Sequence, residues 1–255
     1  MSACLFVVVP VYNEQDNLPQ LLCSLSSLVD RLQSEFDVRL VLVDDGSSDD
    51  TAAVARSHRA PPELRLLRHD ANRGPGAAFA TAFEYLHATV SDDDWVVTME
   101  GDNTSAVETL LHMLTRRREG YDAVLASPYA YGGGFAQVRR HRLALSHVAN
   151  GLVRVVFGIR GLHTFSSFFR VYSAPLLRRL QAKYGPRVLV TPGFECMVEL
   201  LAKMIRVEAR ISEVEQVVDW SRRQGPPKMR IGRTTMGYLR LFAARAQIVT
   251  GQDER

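Results

Sequence analysis

The sequence predicts an α/β fold, a mixed and mainly parallel sheet flanked by helices, and three observations carry that prediction. Short β-rich apolar runs alternate with segments of helical periodicity as far as Ala126. Two of these runs end in acidic clusters: Leu40–Val43 leads into Asp44-Asp45-Gly46-Ser47, and Trp95–Met99 leads into Glu100-Gly101-Asp102-Asn103. Open α/β sheets bind ligands in the crevice beyond the C-terminal ends of their strands, so both clusters fall where a ligand would lie. With 255 residues and 46% hydrophobic composition, the chain can bury one large core, or one core with an appendage.

The elements follow in order. Leu5–Val9 is a β-rich run ended by Pro10. Asn17–Leu32 is helical, with apolar residues at 18, 21, 22, 25, 28, 29 and 32. Val38–Val43 is the second strand, after which Asp49 or Asp50 caps a helix running through His58. Leu64–Leu67 is a third strand, Gly76–His87 a helix, Trp95–Met99 a strand, Val107–Arg118 a helix and Ala123–Ala126 a strand. This βαβαβ alternation requires a largely parallel sheet with helices on both faces. Beyond Tyr129 come a triple-glycine loop at 132–134, a basic helical stretch from about Val138 to Phe157, and an apolar block at Phe165–Val171. Asp92-Asp93-Asp94 reads as a solvated turn, and Cys196–Met204 as a later helix.

Composition narrows the classes. Cys4, Cys23 and Cys196 lack metal-ligand spacing and read as buried thiols of a reducing compartment. No apolar run is long enough to span a membrane, and Leu5–Val11 lacks the basic leader of a signal peptide, so a cytoplasmic location is expected. The net charge of +3 hides an asymmetry: residues 1–138 carry 10 Arg/Lys against 20 Asp/Glu, and residues 139–255 carry 21 against 8. An acidic half suits a metal and nucleotide bases, and a basic half suits an anionic acceptor or membrane surface. Mutual attraction of the halves is the simpler alternative. Nucleic acid is a poor partner, because no recognised nucleic-acid fold or aromatic platform accompanies the charge.

Four motifs occur in a fixed order: Val9-Pro10-Val11-Tyr12-Asn13-Glu14, Val43-Asp44-Asp45-Gly46-Ser47, Asn72-Arg73-Gly74-Pro75-Gly76 and Glu100-Gly101-Asp102. Together they resemble family-2 glycosyltransferases of the GT-A fold, a Rossmann-like nucleotide-diphospho-sugar transferase fold. Ser127-Pro128-Tyr129, Arg139-Arg140-His141-Arg142, Phe165-Ser166-Ser167-Phe168-Phe169 and Arg222-Arg223-Gln224-Gly225-Pro226-Pro227-Lys228-Met229 resemble the polyprenyl-phosphate branch, which includes dolichyl-phosphate mannosyltransferase. The resemblance spans roughly residues 4–245. It implies one catalytic domain over 1–255, with a nucleotide and metal half to 130 and an acceptor half from 131.

Chemistry gives each motif a role. Pro10 ends the first strand, leaving Tyr12 to stack on a base or ribose and Glu14 to accept from ribose hydroxyls. A carboxylate of Asp44 or Asp45 can accept from a guanine or uracil edge, and the resemblance places both among nucleoside-binding acids. The same residues also suit a helix N-terminus. In the Asn72–Gly76 turn, Gly74 permits close backbone approach, and Arg73 can meet a diphosphate. A dinucleotide fingerprint fails there, because Phe79 replaces the third glycine. Glu100 and Asp102, around Gly101, are the expected clamp for Mg²⁺ or Mn²⁺. The family usually has Asp-x-Asp at this point, so Glu100 is a departure.

Arg139, Arg140 and Arg142 are expected at the acceptor phosphate. Arg222 and Lys228 bracket a flexible loop able to close over the site. The resemblance thus places Asp102, Arg139, Arg222 and Lys228 in the catalytic machinery. It implies a nucleotide sugar donor, GDP-mannose or a UDP-hexose, and a polyprenyl phosphate acceptor. A phosphate monoester needs no general base, its second pKa being about 6. A hydroxyl acceptor would need one, and Glu195 is the candidate. A non-catalytic nucleotide-sugar-binding module is a further alternative. Leu143–Phe157 and Met236–Val249 can make peripheral membrane contact as interfacial helices.

Overall fold

The computed structural model describes residues 3–59, 62–138, 140–229, 231–245 and 247. Strands β1 (Ala3–Val11), β2 (Phe36–Asp44), β3 (Glu63–Arg68), β4 (Trp95–Thr98) and β5 (Ala123–Ser127) alternate with helices α1 (Leu18–Leu32), α2 (Thr51–Ser57), α3 (Pro75–His87) and α4 (Thr109–Arg117). Then follow β6 (Gly134–Ala136), α5 (Arg140–Phe157), β7 (Arg170–Ser173), α6 (Ala174–Tyr184), α7 (Cys196–Arg206), β8 (Ile211–Glu215), β9 (Val217–Asp219), a 3₁₀ turn at Trp220–Arg222 and α8 (Ile231–Ala243).

The main sheet has the order β3-β2-β1-β4-β7-β5-β8. Its neighbours pair in parallel except β7, which runs antiparallel between β4 and β5. Strand alternation feeds two cores: Phe6 and Val8 face one side of β1, while Leu5, Val7 and Val9 face the other. In α1, Leu18, Leu21, Leu22, Leu25, Leu28 and Leu32 form one buried stripe, each adding roughly 1.5–3 kcal/mol of apolar burial. The mixed, mainly parallel sheet flanked by helices is the expected architecture.

Several boundaries shift. Pro10 does not end β1: the strand continues to Val11, and Pro10 pairs with Val43 where β4 no longer runs alongside. Asp49, not the N-cap Asp50, accepts from the Thr51 amide (3.0 Å) and hydroxyl (2.5 Å). The expected solvated turn at Asp92–Asp94 is corrected at its last residue. Asp94 is buried and accepts from the amides of Cys4 and Ser91, each at 2.7 Å, tying the turn to β1.

Strand β7 lies in the second half of the sequence yet sits centrally in the sheet, so both halves contribute to each of the two cores. The unanticipated α6 has plain local signals: Ser173 caps it at the Leu176 amide, Pro175 occupies its first turn, and Gly185 closes it at φ +78°. A small second sheet pairs β6 with β9, and Ser105 bridges to Val218. That bridge carries the chain after Asp219 to the acidic loop at 100–105.

Candidate nucleotide and cation site

Strands β3, β2, β1 and β4 are parallel, so their C-terminal ends share one edge. The chain moves outward from β1 through β2 to β3, then returns to place β4 on the other side of β1. The switch point therefore lies between β1 and β4, where open α/β sheets form their ligand crevice. The turn after β1 carries Tyr12 and Glu14, and the loop after β4 carries Glu100 and Asp102.

The nucleoside-facing turns are held by their own side chains. Asp44 accepts from the Ser47 amide (2.8 Å), and Arg68 Nε lies 3.1 Å from its other oxygen, an ion-pair contact outside hydrogen-bond geometry. One Asp45 oxygen accepts from the Arg73 amide (2.9 Å) and faces His69 Nδ1 (2.7 Å), and the other accepts from the Gly74 amide (2.7 Å). Asp45 thus fixes the Asn72–Gly76 turn from beneath, and its oxygens are occupied by protein donors. Arg73 itself is exposed, and Tyr12 is half-buried.

Glycine is required at two points of this edge. Gly74 has φ +99° and a Cβ there would lie 2.4 Å from Pro192 O; one on Gly76 would lie 2.1 Å from Thr191 O. The turn is therefore packed against the 190–193 segment, and the Gly76 amide donates to Pro192 O (2.8 Å). Glu199 secures that segment by accepting from the amides of Val190 (3.0 Å) and Thr191 (2.8 Å), while Lys203 neutralises it at 2.6 Å. Sequence reading missed this buried pair. Its i,i+4 spacing on α7 was the available signal.

Glu100 and Asp102 lie past the end of β4, so strand alternation does not set their directions. Glu100 turns inward: its oxygens accept from the Phe168 amide (3.1 Å) and the Ser105 hydroxyl (3.0 Å). Burial, reinforced by the neighbouring Asp102 charge, pushes its carboxyl up to about 6. Arg170, wholly buried, donates to the carbonyls of Phe165 (2.7 Å), Ser167 (2.8 Å) and Met197 (2.9 Å), holding the segment that presents Phe168 to Glu100. Gly101 lets the loop cross β1, since a Cβ would stand 2.8 Å from Val11 Cγ1.

Asp102 faces the mouth. One oxygen accepts from Thr104 Oγ1 (2.6 Å) and the other is paired with Arg223 Nη1 (2.6 Å). Arg223 Nη2 also lies 3.4 Å from Glu14 Oε1. Burial pushes the Glu14 carboxyl up to about 6, against the opposing pull of Arg223 and the Asn17 hydrogen bond. Asn17 holds the Gln224 backbone through both its amide atoms (2.8 and 2.9 Å), and Lys228 Nζ donates to Asn13 O (2.5 Å). The expected basic loop is thus closed across the crevice, with Arg223 rather than Arg222 at the carboxylates. Sequence reading missed Arg223, Asn17 and His69.

Among the described residues, no group of three or more His, Cys, Asp or Glu side chains is gathered to hold an ion alone. Mg²⁺ commonly takes one or two carboxylates and completes its shell with water and substrate phosphates. Asp102 fits that pattern, since its outward oxygen already faces a cation.

The remaining expected residues are placed as follows. Arg140 begins α5 and is exposed, whereas Arg139 and the side chain of Arg142 lie outside the described residues. Arg222 closes the 3₁₀ turn before the basic loop Arg223–Lys228, which forms a strap over the crevice. Glu195 is buried, and its carboxylate lies against Gly193 and against Gly237 of α8, where a Cβ would be 2.5 Å from Oε2. Val249 of the expected terminal helix is outside the described residues.

Comparison with known proteins gives this edge a family. The chain is 30% identical over 178 residues to polyprenol monophosphomannose synthase of Mycolicibacterium smegmatis, covering 68% of this chain and 63% of that protein. It is 28% identical over 182 residues to undecaprenyl-phosphate 4-deoxy-4-formamido-L-arabinose transferase of Shewanella sediminis, covering 68% and 49%. The matched region is thus less than two thirds of either relative's length.

Among solved structures, glucosyl-3-phosphoglycerate synthase of Mycobacterium tuberculosis, crystallised with Mn²⁺, UDP and glucosyl-3-phosphoglycerate, superposes with TM-score 0.64 at 20% identity, over 99% of this chain and 82% of that one. Mannosyl-3-phosphoglycerate synthase of Rubrobacter xylanophilus gives 0.67 at 16% identity, over 99% and 77%. These likenesses show the fold, that of the GT-A glycosyltransferases. The sequence profile of Glycosyl transferase family 2 matches residues 6–181, and the chain belongs to that family.

Proposed function

We propose that the chain is an inverting, metal-dependent glycosyltransferase that moves a hexose, mannose favoured, from a nucleotide sugar to a polyprenyl phosphate. The observation that carries this reading is the gathering of Tyr12–Glu14, Asp44–Ser47, Asn72–Gly76 and Glu100–Asp102 along one sheet edge, astride the switch point. The polyprenol and undecaprenyl-phosphate relatives support the lipid acceptor.

In this reading the base and ribose lie over Tyr12 and the Asp44–Ser47 turn. Asp45 acts beneath them by presenting the Arg73-Gly74 backbone. The diphosphate lies over the start of α3 and towards Asp102, with Arg73, Arg222 and Lys228 as cationic partners. Asp102 would hold Mg²⁺ or Mn²⁺, which when bound neutralises charge developing on the leaving diphosphate. A phosphate oxygen of the acceptor forms the new bond to the anomeric carbon as the bond to the donor diphosphate breaks, inverting that carbon. Arg139, Arg140 and Arg142 are proposed to receive the acceptor phosphate.

The basic second half also suits a membrane surface. No helix among the described residues is long and apolar enough to cross a bilayer. Instead α5 presents Leu145, Val148, Leu152 and Val155 to solvent, exposed by 50, 60, 51 and 81%. This stripe at helical spacing, with Met236 and Leu239 exposed on α8, supports peripheral contact with a cytoplasmic membrane face.

A soluble hydroxyl acceptor with Glu195 as base is less well supported, because α8 covers that carboxylate. The test is a donor screen: GDP-mannose, UDP-glucose and UDP-N-acetylglucosamine with Mg²⁺ or Mn²⁺, with and without a short polyprenyl phosphate. Nucleoside diphosphate release that depends on the lipid phosphate is expected. Donor binding without such release would remove the lipid acceptor. The same assay should show Asp102→Asn inactive with its fold retained.

A further inference from the structure

Arg223 is placed unlike a residue waiting in solvent for substrate. Its side chain is only 8% exposed and lies 121 positions from Asp102 in sequence, yet Nη1 pairs with Asp102 at 2.6 Å. The second terminal nitrogen divides itself between Glu14 Oε1 (3.4 Å) and Pro226 O (3.1 Å), and Nε is buried with no hydrogen-bond partner. An unpartnered buried donor is costly, so the charge contacts must hold this pose.

The rest of the strap is fastened by hydrogen bonds to uncharged groups. Asn17 clamps Gln224, Lys228 reaches a backbone carbonyl, and Gly225 at φ +78° turns the chain before two prolines. Among the described residues of the strap, Arg223 is thus the side chain hydrogen-bonded to the carboxylates, on the Asp102 oxygen that Thr104 leaves free, whereas Lys228 acts on Glu14 through its charge alone.

We infer that Arg223 is a resident counter-cation of the Asp102 site: it neutralises Asp102 and Glu14 until a divalent ion arrives, then leaves, so that ion entry and release of the strap are one event. The inference rests on Asp102 as the cation-holding carboxylate. Without Arg223 the crevice keeps Glu14 and Asp102 and loses the cation fixed between them, so it should hold a divalent ion more tightly. Arg223 thus sets the affinity for the ion as a positioning residue.

The experiment is a Mn²⁺ titration of the full chain without donor, following free Mn²⁺ by electron paramagnetic resonance. Arg223→Met should bind Mn²⁺ about tenfold more tightly than wild type. Lys228→Met removes one charge from the same strap, one that is hydrogen-bonded to Asn13 O rather than to a carboxylate and reaches Glu14 only through its field, and should change affinity by about twofold at most. Equal affinity in wild type and Arg223→Met, or equal tightening in both variants, would overturn the inference.

If Arg223→Met does not fold, hydrogen exchange of the Gln224 amide in wild type decides. Exchange several-fold faster with Mg²⁺ supports ion-driven release, and unchanged exchange overturns it. No Mn²⁺ binding by either protein would also overturn it, even alongside metal-independent sugar transfer, which would leave the transferase reading standing.

Discussion

His69 Nδ1 stands 2.7 Å from Asp45 Oδ1, and the imidazole's other nitrogen is 2.9 Å from Thr81 Oγ1. The ring thus bridges the acidic turn after β2 to the middle of α3. Asp45 completes the bridge through the amides of Arg73 and Gly74. Asp45→Asn preserves volume but turns an NH₂ group towards one of these donors. The expected loss is roughly 2–3 kcal/mol, a fall in Tm of about 5–10 °C. Donor affinity should fall with it, because the Arg73-Gly74 turn loses its support. Calorimetry and nucleoside-diphosphate titration check both.

Glu14 makes stability depend on pH with a definite sign. Its carboxyl is raised from 4.5 to about 6 in the folded chain, chiefly by burial, so the folded state holds the proton more tightly than the unfolded one. That advantage is present below about 4.5 and is lost as pH rises through about 6, a cost of about 2 kcal/mol at pH 7. Glu14→Gln should therefore gain stability relative to wild type as pH rises from 4.5 to 7. Parallel denaturant melts at several pH values measure the difference, and a pH-independent difference would contradict the burial account.

Glu195 separates the two acceptor classes. With its carboxylate between Gly193 and Gly237, Glu195→Gln should keep kcat for a polyprenyl phosphate within about threefold, since no proton needs removal. If the acceptor were a hydroxyl and Glu195 its base, kcat would fall by about a hundredfold or more.

The exposed stripe on α5 gives a fourth prediction. Leu152→Glu with Val155→Glu should abolish flotation with vesicles containing anionic lipid. Turnover of a short, water-soluble polyprenyl phosphate should be retained. Equal flotation of variant and wild type would remove α5 as the contact surface.

Much of the frame was legible without coordinates. The continuous, valine-rich apolar run at Leu5–Val9, the leucine stripe of α1 and the Pro75 start of α3 each encode their element locally, because β-branching, helical spacing and proline geometry act over a few residues. The acidic and glycine motifs were equally visible, as was their common place beyond the strand ends.

Tertiary structure alone decided which atoms of those motifs remain available. Glu100 turns inward because Phe168 and Ser105 supply its donors, and β7 brings Phe168 there from the other half of the sequence. Arg223 rather than Arg222 reaches Asp102 because β9 and the Ser105 bridge hang the strap beside the acidic loop. Such pairings join residues far apart in sequence, and no local propensity specifies them. They arise when the sheet order and two shared cores bring loop ends together, so the chemistry was legible as a set of residues and became a site only through packing.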